Sequence, residues 1–222
     1  MLNKMVAILN KDFLEVEFTG KTKEGIIFDS NIKKDLEKIN PKANPKPFVF
    51  SVGEKMFLEG IDDFLLEKEI GKEYEIELAP EKAFGKRNPA LIKLIPLKIF
   101  HEKQVNPQKG MVFDFDGQLA KIISLSGGRV LTDFNNPLAG KAVVYNLKVL
   151  RKVEDINEKI KAMIDFFLRK DLEFKIEDKN LVVYAEEGLG NFLMLFKDKF
   201  KEILGLDLVI EEKKEKHLPK AQ

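Results

Sequence analysis

VEFTGKTKEGIIFDS, residues 16–30, is the stretch of sequence that decides the fold. Apolar and polar side chains alternate through residues 12–20, a pattern typical of a half-buried β-strand, and Gly20 ends the pattern. Residues 25–29 predict a second strand, which the turn at residues 21–24 joins to the first. We expect these two strands to begin a small antiparallel sheet.

The next part of the chain extends this sheet and adds one helix. Residues 31–47 are rich in Lys, Asn and Pro and predict a loop or bulge before a third strand at residues 47–52. Residues 58–69 place apolar side chains at helical spacing with acidic residues early, which predicts a short amphipathic helix that Gly71 stops. Residues 73–79 alternate again and predict a fourth strand.

After residue 86 the pattern changes. Short strand candidates at residues 111–115, 120–125 and 129–133 are separated by glycines, and a longer strand candidate follows at residues 141–150. The segment begins after one strand of the first sheet and ends before another strand that can close that sheet. This arrangement predicts a domain inserted into a loop.

A third pattern begins at about residue 154. It predicts, in order, a helix at residues 155–169, a hairpin of residues 172–177 and 181–185, a second helix at residues 191–204 and a strand at residues 206–211. The final ten residues, KKEKHLPKAQ, have the composition of a disordered tail.

The predicted fold class is α+β. We expect an antiparallel sheet wrapped on a short helix, with an inserted mostly-β domain and a C-terminal α+β domain. The predicted domains are residues 1–86 with 135–153, residues 87–134, and residues 154–222.

Composition excludes several classes of function. The 222 residues include no Cys, which excludes disulfide scaffolds and thiol catalysis, and the two His with no EF-hand spacing predict no metal site and no cofactor. Lys and Arg (38) nearly balance Asp and Glu (37), so a net charge of +1 predicts no nucleic-acid partner. No segment reaches ~18 consecutive apolar residues, so we expect no membrane span and a cytoplasmic protein.

Several motifs occur in a specific order along residues 16–153. VEFTG and GIIFDS are followed by FVFSVG at residues 48–53, by LEGI at residues 58–61 and by APEKAFG at residues 79–85. Together they closely resemble the FKBP family of peptidyl-prolyl cis–trans isomerases. About fifty residues then intervene before NNPLAGK at residues 135–141. This motif is similar to that of SlyD-like FKBP proteins, which carry an insert-in-flap domain. The chain as a whole resembles the long, archaeal form of this prokaryotic branch. The resemblance does not cover residues 154–222.

Without that resemblance, the aromatic residues would be interpreted as an ordinary core. The resemblance implies that four residues act on the rotating bond, namely Phe18, Asp29, Phe84 and Tyr145. It implies that further residues line the pocket and bind the substrate, namely Phe28, Phe48, Phe57, Leu58, Ile61 and Leu138. The expected role of Asp29 is electrostatic and orienting, and the alternative is a turn residue that binds nearby backbone N–H groups. The backbone N–H of Leu58 is the expected donor to the substrate carbonyl.

Three positions depart from the family pattern. Ile61 stands where many members have Trp, and Phe18 and Phe84 replace Tyr. A lost hydrogen bond of this kind is worth roughly 0.5–1.5 kcal/mol, so we expect isomerase activity to survive.

The inserted segment carries a second predicted activity. Residues 91–100 contain a dense apolar run, and exposed apolar surface of this kind binds unfolded chains. Leu94 and Ile95 are the predicted contact residues for such clients. The alternative is that the run packs against the insert's own sheet.

The predicted function is therefore a peptidyl-prolyl cis–trans isomerase and folding chaperone that acts on X-Pro bonds of unfolded or nascent polypeptides. The main alternative is a non-catalytic holdase or peptide-binding module. A scaffold or ribosome-associated factor is a third interpretation, which would require a basic patch. The apolar residues of the C-terminal unit also predict that this unit docks on the rest of the chain or forms a homodimer.

Overall fold

The computed structural model describes residues 7–212, and within this range it contains twelve strands and six α-helices. The strands are β1 (Phe13–Thr22), β2 (Ile27–Ser30), β3 (Phe48–Ser51), β4 (Glu73–Leu78), β5 (Ile92–Pro96), β6 (Val112–Phe115), β7 (Gln118–Ser126), β8 (Arg129–Asp133), β9 (Val143–Lys152), β10 (Phe174–Glu177), β11 (Asn180–Ala185) and β12 (Asp207–Glu212). The helices are α1 (Lys33–Ile39), α2 (Glu59–Leu65), α3 (Leu97–Glu102), α4 (Ile156–Leu168), α5 (Glu187–Met194) and α6 (Lys197–Leu204). The predicted tail at residues 213–222 lies outside the described residues.

The chain forms two compact units. The first consists of Met1–Thr19, Ile27–Ile76 and Asn146–Gln222, and the second of Gly20–Ile26 and Glu77–Tyr145. The first unit therefore joins most of the predicted isomerase sheet with the C-terminal segment, and the second contains the predicted insert.

The main sheet has the strand order β2-β1-β9-β4, with β3 paired to β1. β1 and β3 run antiparallel, with Val16 opposite Phe48. Gly53 follows β3 in the left-handed conformation (φ 83°), and a Cβ atom there would lie 1.9 Å from Oδ1 of Asn10. Only glycine therefore fits this turn. The mainly antiparallel sheets and the separate helices of this chain confirm the predicted α+β class.

Helix α1 lies where the sequence predicted a loop, and that prediction was wrong at this point. None of its residues is buried, so no apolar periodicity revealed it. Asp35 anchors the helix, because its carboxylate accepts hydrogen bonds from the hydroxyl of Thr19 (3.0 Å) and the ammonium of Lys38 (2.7 Å). The contact with Thr19 on β1 is tertiary and is not visible in local sequence.

Helix α2 is shorter than predicted. It buries Gly60, Ile61, Asp62 and Leu65. It ends at Leu65, because the next residue, Leu66, has an extended ψ of 135°. The predicted amphipathic face is therefore real, but the helix covers less than two turns.

The C-terminal segment forms a three-stranded sheet with the order β10-β11-β12. Helices α5 and α6 pack on β12, and α4 packs on α5 and α6. The single helix predicted at residues 191–204 is in fact two helices, because the backbone of Phe196 (φ −106°, ψ 10°) leaves helical geometry. The break lets the Phe196 ring stack on that of Phe167, with centroids 4.1 Å apart.

This C-terminal segment packs directly on the rest of the first unit. Helix α4 packs against β3, and the ammonium of Lys159 lies 5.7 Å from the ring centroid of Phe13. On α6, Lys199 binds the carboxylate of Glu54 at 2.8 Å, and the Glu54 side chain is only 6% exposed. The C-terminal segment thus contacts the same strand and loop that carry the predicted pocket.

The second unit contains a four-stranded sheet with the order β5-β8-β7-β6. Its core consists of six buried residues: Ile95, Phe100, Ala120, Ile122, Val130 and Phe134. The β7–β8 register shifts between Ile122 and Ser124, which marks a bulge.

Across residues 7–212, none of the helices has the length and apolar character needed to cross a membrane.

Candidate functional site

Three predicted pocket residues, Phe18, Phe48 and Phe57, form one cluster of aromatic rings. The ring centroids are 5.4 Å apart for Phe18 and Phe48, 5.0 Å for Phe18 and Phe57, and 4.9 Å for Phe48 and Phe57. The rings meet edge-on or tilted, which the aromatic quadrupole favours. The three residues come from β1, from β3 and from the loop before α2, so tertiary folding brings them together.

Phe50 belongs to the same cluster and was not predicted. Its ring centroid lies 5.5 Å from those of both Phe48 and Phe57, and the side chain is fully buried. Ile61 is also fully buried, and Met56 is 8% exposed. The signal for Phe50 was present in the sequence, because residues two apart on a strand share a face with each other. We call Phe18, Phe48, Phe50 and Phe57 the ring cluster.

The end of β2 is fastened to β1 beside the ring cluster. The hydroxyl of Ser30 donates to the carbonyl of Phe18 at 2.9 Å. The side-chain oxygen of Asn31 accepts from the Phe18 N–H at 2.8 Å, and its amide nitrogen donates to the Val16 carbonyl at 2.8 Å. These bonds fix the backbone on either side of Phe18, and Asp29 directly precedes Ser30 in the chain.

Asp29 keeps an exposed surface, but protein atoms surround enough of it to change its acidity. Burial raises the pKa of this carboxyl above its ordinary value, while the backbone N–H of Ser30 and the positive charge of Arg169 oppose the rise. The influence of Arg169 is notable because that residue belongs to the C-terminal segment. A partly desolvated carboxylate beside an apolar cluster is a common feature of functional sites.

A cavity of about 700 Å³ opens beside the ring cluster. Phe18, Asp29 and Phe48 line it from the predicted isomerase sheet, and Ala162 and Phe166 line it from α4. Its volume falls within the ~300–1,000 Å³ typical of ligand sites. Sequence analysis did not predict a contribution from α4.

Asp62 is a buried acid close to the same elements. It is 3% exposed, its Oδ2 accepts the Lys55 N–H at 3.2 Å, and its Oδ1 has no hydrogen-bond partner. Burial raises its pKa to about 6, against hydrogen bonds from the backbone of Gly53 and Lys55. Asp62 therefore ties α2 to the loop that precedes Phe57.

The other predicted pocket residues of the first unit are partly accessible. Phe28 on β2 and Leu58 at the start of α2 are both half-buried. The Leu58 carbonyl accepts the Ile61 N–H at 2.8 Å, so the helix begins at this residue.

Phe84, Leu138 and Tyr145 lie in the second unit. Phe84 and Leu138 are half-buried, whereas Tyr145 is 1% exposed. Within that unit, the Gly140 N–H donates to the Gly85 carbonyl at 2.8 Å, which holds the loop after Phe84 against the loop after Leu138. The assignment of these three side chains to one pocket with the ring cluster stays a prediction.

The two predicted client contacts in the insert differ in accessibility. Ile95 is 9% exposed and belongs to the core of the insert, whereas Leu94 is 60% exposed. Successive strand residues point to opposite faces of a sheet, so only one of the pair is presented to solvent. This corrects the prediction for Ile95, whose side chain is occupied by packing.

A cluster of polar side chains and backbone groups at the base of the insert was not predicted from the sequence. We call it the clasp, and it consists of Arg87, Asn88, Asp133 and Asn135. The Asn135 side chain accepts the Asn88 N–H at 2.8 Å and donates to Asp133 at 2.7 Å. Arg87 forms an ion pair with the same Asp133, which is 5% exposed. Although burial acts to raise the pKa of Asp133, hydrogen bonds from Asn135 and the charge of Arg87 hold it below its ordinary value. The clasp joins the segments that enter and leave the insert.

Sequence comparison with known proteins identifies the family of this chain. A short-type peptidyl-prolyl cis–trans isomerase of Methanocaldococcus jannaschii is 32% identical over 149 residues, covering 65% of this chain and 94% of that protein. An FKBP-type 16 kDa peptidyl-prolyl cis–trans isomerase of Escherichia coli is 30% identical over 140 residues, covering 61% of this chain and 87% of that protein. The chain belongs to the FKBP family.

Two further similarities concern its branch. The FKBP-type isomerase SlyD of Helicobacter pylori is 32% identical over 141 residues, covering 61% of this chain and 69% of that protein. Residues 93–138 match the family model described as FKBP26, IF domain, and so overlap the predicted insert. The SlyD-like branch of the FKBP family is therefore confirmed.

Within residues 7–212 of this FKBP-family chain, no group of three or more His, Asp or Glu side chains is placed to hold a metal ion.

Proposed function

We propose that this chain is a peptidyl-prolyl cis–trans isomerase and folding chaperone that acts on X-Pro bonds of unfolded polypeptide. The observation that carries the proposal is the ring cluster of this FKBP-family chain. The ring centroids of Phe18, Phe48 and Phe57 lie within 5.4 Å of each other, and Asp29 lines the same cavity as Phe18 and Phe48. Isomerisation needs a shaped apolar cleft, and the ring cluster provides one wall of it.

The chemistry requires little beyond such a cleft. Rotation about a peptide C–N bond costs ~18–20 kcal/mol because resonance is lost in the twisted geometry. The twisted amide is less dipolar than the planar one, so transfer from water to an apolar cleft costs the transition state less than the ground state. Each ~1.4 kcal/mol of this differential binding gives a tenfold rate increase. Both isomers of an X-Pro bond are populated, so the cleft accelerates the reaction in both directions.

Individual residues take different parts in this proposal. Phe18, Phe48 and Phe57 hold the proline ring, with Phe50 and Ile61 beneath them. Asp29 contributes an electrostatic and orienting effect on the rotating amide, not a proton transfer. Phe28 and Leu58 extend the cleft within the first unit, and the Leu58 N–H donates to the substrate carbonyl. The substrate contacts that the family resemblance implies for Phe84, Leu138 and Tyr145 stay predictions.

A peptide isomerisation assay tests the catalytic half of the proposal. We expect the full chain to accelerate cis–trans exchange in a short X-Pro peptide and Asp29→Asn to reduce kcat/KM. Asp198→Asn on the exposed surface of α6 is the matched control and should leave the rate unchanged. Binding of the peptide without any acceleration would favour the non-catalytic peptide-binding alternative.

The chaperone half rests on an exposed apolar surface of the insert. Leu94 of β5 pairs with Leu131 of β8, on the face of the sheet opposite the buried Ile95 and Val130. On the same sheet, Val112 and Leu119 are 54% and 59% exposed. We call Leu94, Val112, Leu119 and Leu131 the insert face. An exposed apolar surface suits extended, unfolded chains of varied sequence.

The insert face can be tested separately from the ring cluster. The double variant Leu94→Glu with Leu119→Glu should weaken suppression of client aggregation, while turnover of a short X-Pro peptide stays at the wild-type level. Equal suppression by this variant and the wild type would remove the insert face from the proposal.

Self-association through the C-terminal segment is the remaining part of the proposal. Phe192 on α5 is 45% exposed, and Leu195 directly after α5 is 75% exposed. Val209 of β12 is 39% exposed. A second copy of the chain would cover these side chains in a symmetric interface. Sedimentation equilibrium at micromolar concentration should give a mass of two chains, and Leu195→Glu should reduce it to one.

A further inference from the structure

The cavity beside the ring cluster has a wall that comes from the C-terminal segment. Ala162 and Phe166 lie four residues apart on α4, so they share one face of that helix, and both line the cavity. Phe48 and Val49 of β3 and Leu36 of α1 also line it. The cavity therefore continues from the proposed proline site to an apolar region outside the FKBP sheet.

We propose that Ala162 and Phe166 form an apolar subsite that binds a substrate side chain two or three residues from the isomerised proline. This inference rests on the proposed function and deepens it, because it adds a sequence preference set by the C-terminal segment. An extended chain advances ~3.3–3.6 Å per residue, so a side chain two positions away lies about 7 Å further along the cleft. The cavity of about 700 Å³ has room for more than a proline ring.

The helix that carries the subsite is held firmly in place. Its N-terminus is capped by the Asp155 carboxylate, which accepts the Glu158 N–H at 2.9 Å. Glu158 in turn forms an ion pair with Arg151 of β9, and Arg151 also binds Glu15 of β1 at 2.7 Å. Together with the packing of α4 on β3, these contacts make the wall part of the folded unit. A preformed wall binds without the entropic cost of ordering a loop.

The surroundings of the subsite suit a peptide chain. Phe166 is half-buried, its ring meets that of Phe167 at 5.1 Å, and the residue lines the cavity, so part of its side chain stays accessible there. Lys161, Asp165, Arg169 and Lys170 line the same cavity with charged groups. An apolar patch bounded by charged side chains can bury one substrate side chain while the peptide backbone keeps its contact with water.

The test uses the full-length chain and a series of proline peptides. Phe replaces Ala at one position at a time, two or three residues before or after the proline. Binding is measured by isothermal titration calorimetry and turnover as kcat/KM. At one or two of these positions we expect Phe to bind about threefold to tenfold more tightly than Ala, which corresponds to about 0.7–1.4 kcal/mol.

Variants assign that preference to α4. Phe166→Ala removes the ring, and Ala162→Trp fills the space without removing any contact, so both should abolish the Phe-over-Ala preference. Leu9→Ala is the control, because this 60% exposed side chain lies outside the cavity lining, and it should keep the preference. Circular dichroism and the melting temperature establish that each variant is folded.

The outcomes separate this inference from the proposed function. Equal binding of all peptides by the wild type, or a preference that survives in both α4 variants, would overturn the subsite. A preference in binding without catalysis by the wild type would retain the subsite and reject the isomerase activity. Catalysis by the wild type with equal binding of all peptides would retain the isomerase activity and reject the subsite.

Discussion

The ring cluster and the insert face are both apolar, but they are built in opposite ways. Phe18 and Phe50 in the ring cluster are 5% and 0% exposed, and neighbouring rings lie about 5 Å apart in fixed mutual orientations. Leu94 and Leu119 of the insert face are 60% and 59% exposed, and they lie on an open sheet surface. The same class of side chain thus gives a defined shape in one region and an open surface in the other.

The difference matches two physical requirements. Catalysis needs groups that are already positioned to favour the twisted amide over the planar one, and only a packed cluster supplies such fixed geometry. Holding varied unfolded chains needs accessible apolar area more than shape, and a fixed shape would restrict the range of clients. We therefore expect substitutions in the two regions to separate stability and turnover from client binding.

The largest expected effect is on stability. Phe50→Ala should lower the free energy of unfolding by about 3–5 kcal/mol, because it leaves a cavity under the ring cluster. Leu119→Ala on the insert face should change it by about 0.5 kcal/mol or less, because the side chain is already in contact with water. Urea unfolding followed by circular dichroism measures both values. Similar losses for the two variants would mean that the insert face is packed in solution.

The second prediction concerns turnover. Phe57→Ala should reduce kcat/KM for a short X-Pro peptide by about tenfold to a hundredfold, the loss of about one to two tenfold steps of transition-state stabilisation. Suppression of client aggregation should stay close to the wild-type level. The comparison of the two regions would fail if both activities dropped together in a variant with an unchanged melting temperature.

The third prediction concerns the buried acid behind the ring cluster. The pKa of Asp62 is raised from its ordinary 3.8 to about 6, so the folded state penalises the ionised form. The penalty is absent when the group is protonated, grows as the pH rises from about 4 to about 6, and is complete above that range, where it amounts to about 1–3 kcal/mol.

Asp62→Asn isolates this contribution. The difference in unfolding free energy between the wild type and the variant should change in favour of the wild type as the pH falls from about 7 to about 4. Asn191→Gln on the exposed surface of α5 changes no ionisable group and is the control, for which the difference should stay constant. A difference that does not depend on pH for Asp62→Asn would contradict the raised pKa.

The smallest predicted effect concerns Asp29. Burial raises the pKa of this carboxyl, and Arg169 opposes the rise. If the ionised form supports turnover, Arg169→Ala should move the acid limb of the pH profile of kcat/KM to higher pH. The other charged groups that line this cavity are Lys46, Glu158, Lys161, Asp165, Lys170 and Asp171. Lys197→Ala on α6 removes an equal charge outside the cavity lining and should leave the profile in place.

Sequence patterns predicted most of the secondary structure because burial on one face leaves a period in the sequence. The alternation in residues 12–20 corresponds to β1, and the helical spacing in residues 155–169 corresponds to α4. Helix α1 was missed because it buries no residue and is anchored by the tertiary bond between Thr19 and Asp35. The break at Phe196 was missed because it accompanies a ring stack with Phe167, 29 positions away in the chain, which no local pattern records.

The candidate site shows the same division. The family resemblance predicted that Phe18, Phe48 and Phe57 belong to one site; their rings do form one cluster, to which the structure adds Phe50. Ile95 was predicted to bind clients, but its side chain lies on the buried face of the β5–β8 pair and belongs to the core of the insert.

The sequence by itself determined the fold class, the family and the type of chemistry, because strand periodicity and ordered motifs are local properties of the chain. Only the tertiary structure decided that α4 lines the cavity beside Asp29 and that Leu94, not Ile95, faces solvent. The reason is physical: which surfaces meet depends on packing between segments far apart in the chain, and no local pattern records the partner that a surface will contact.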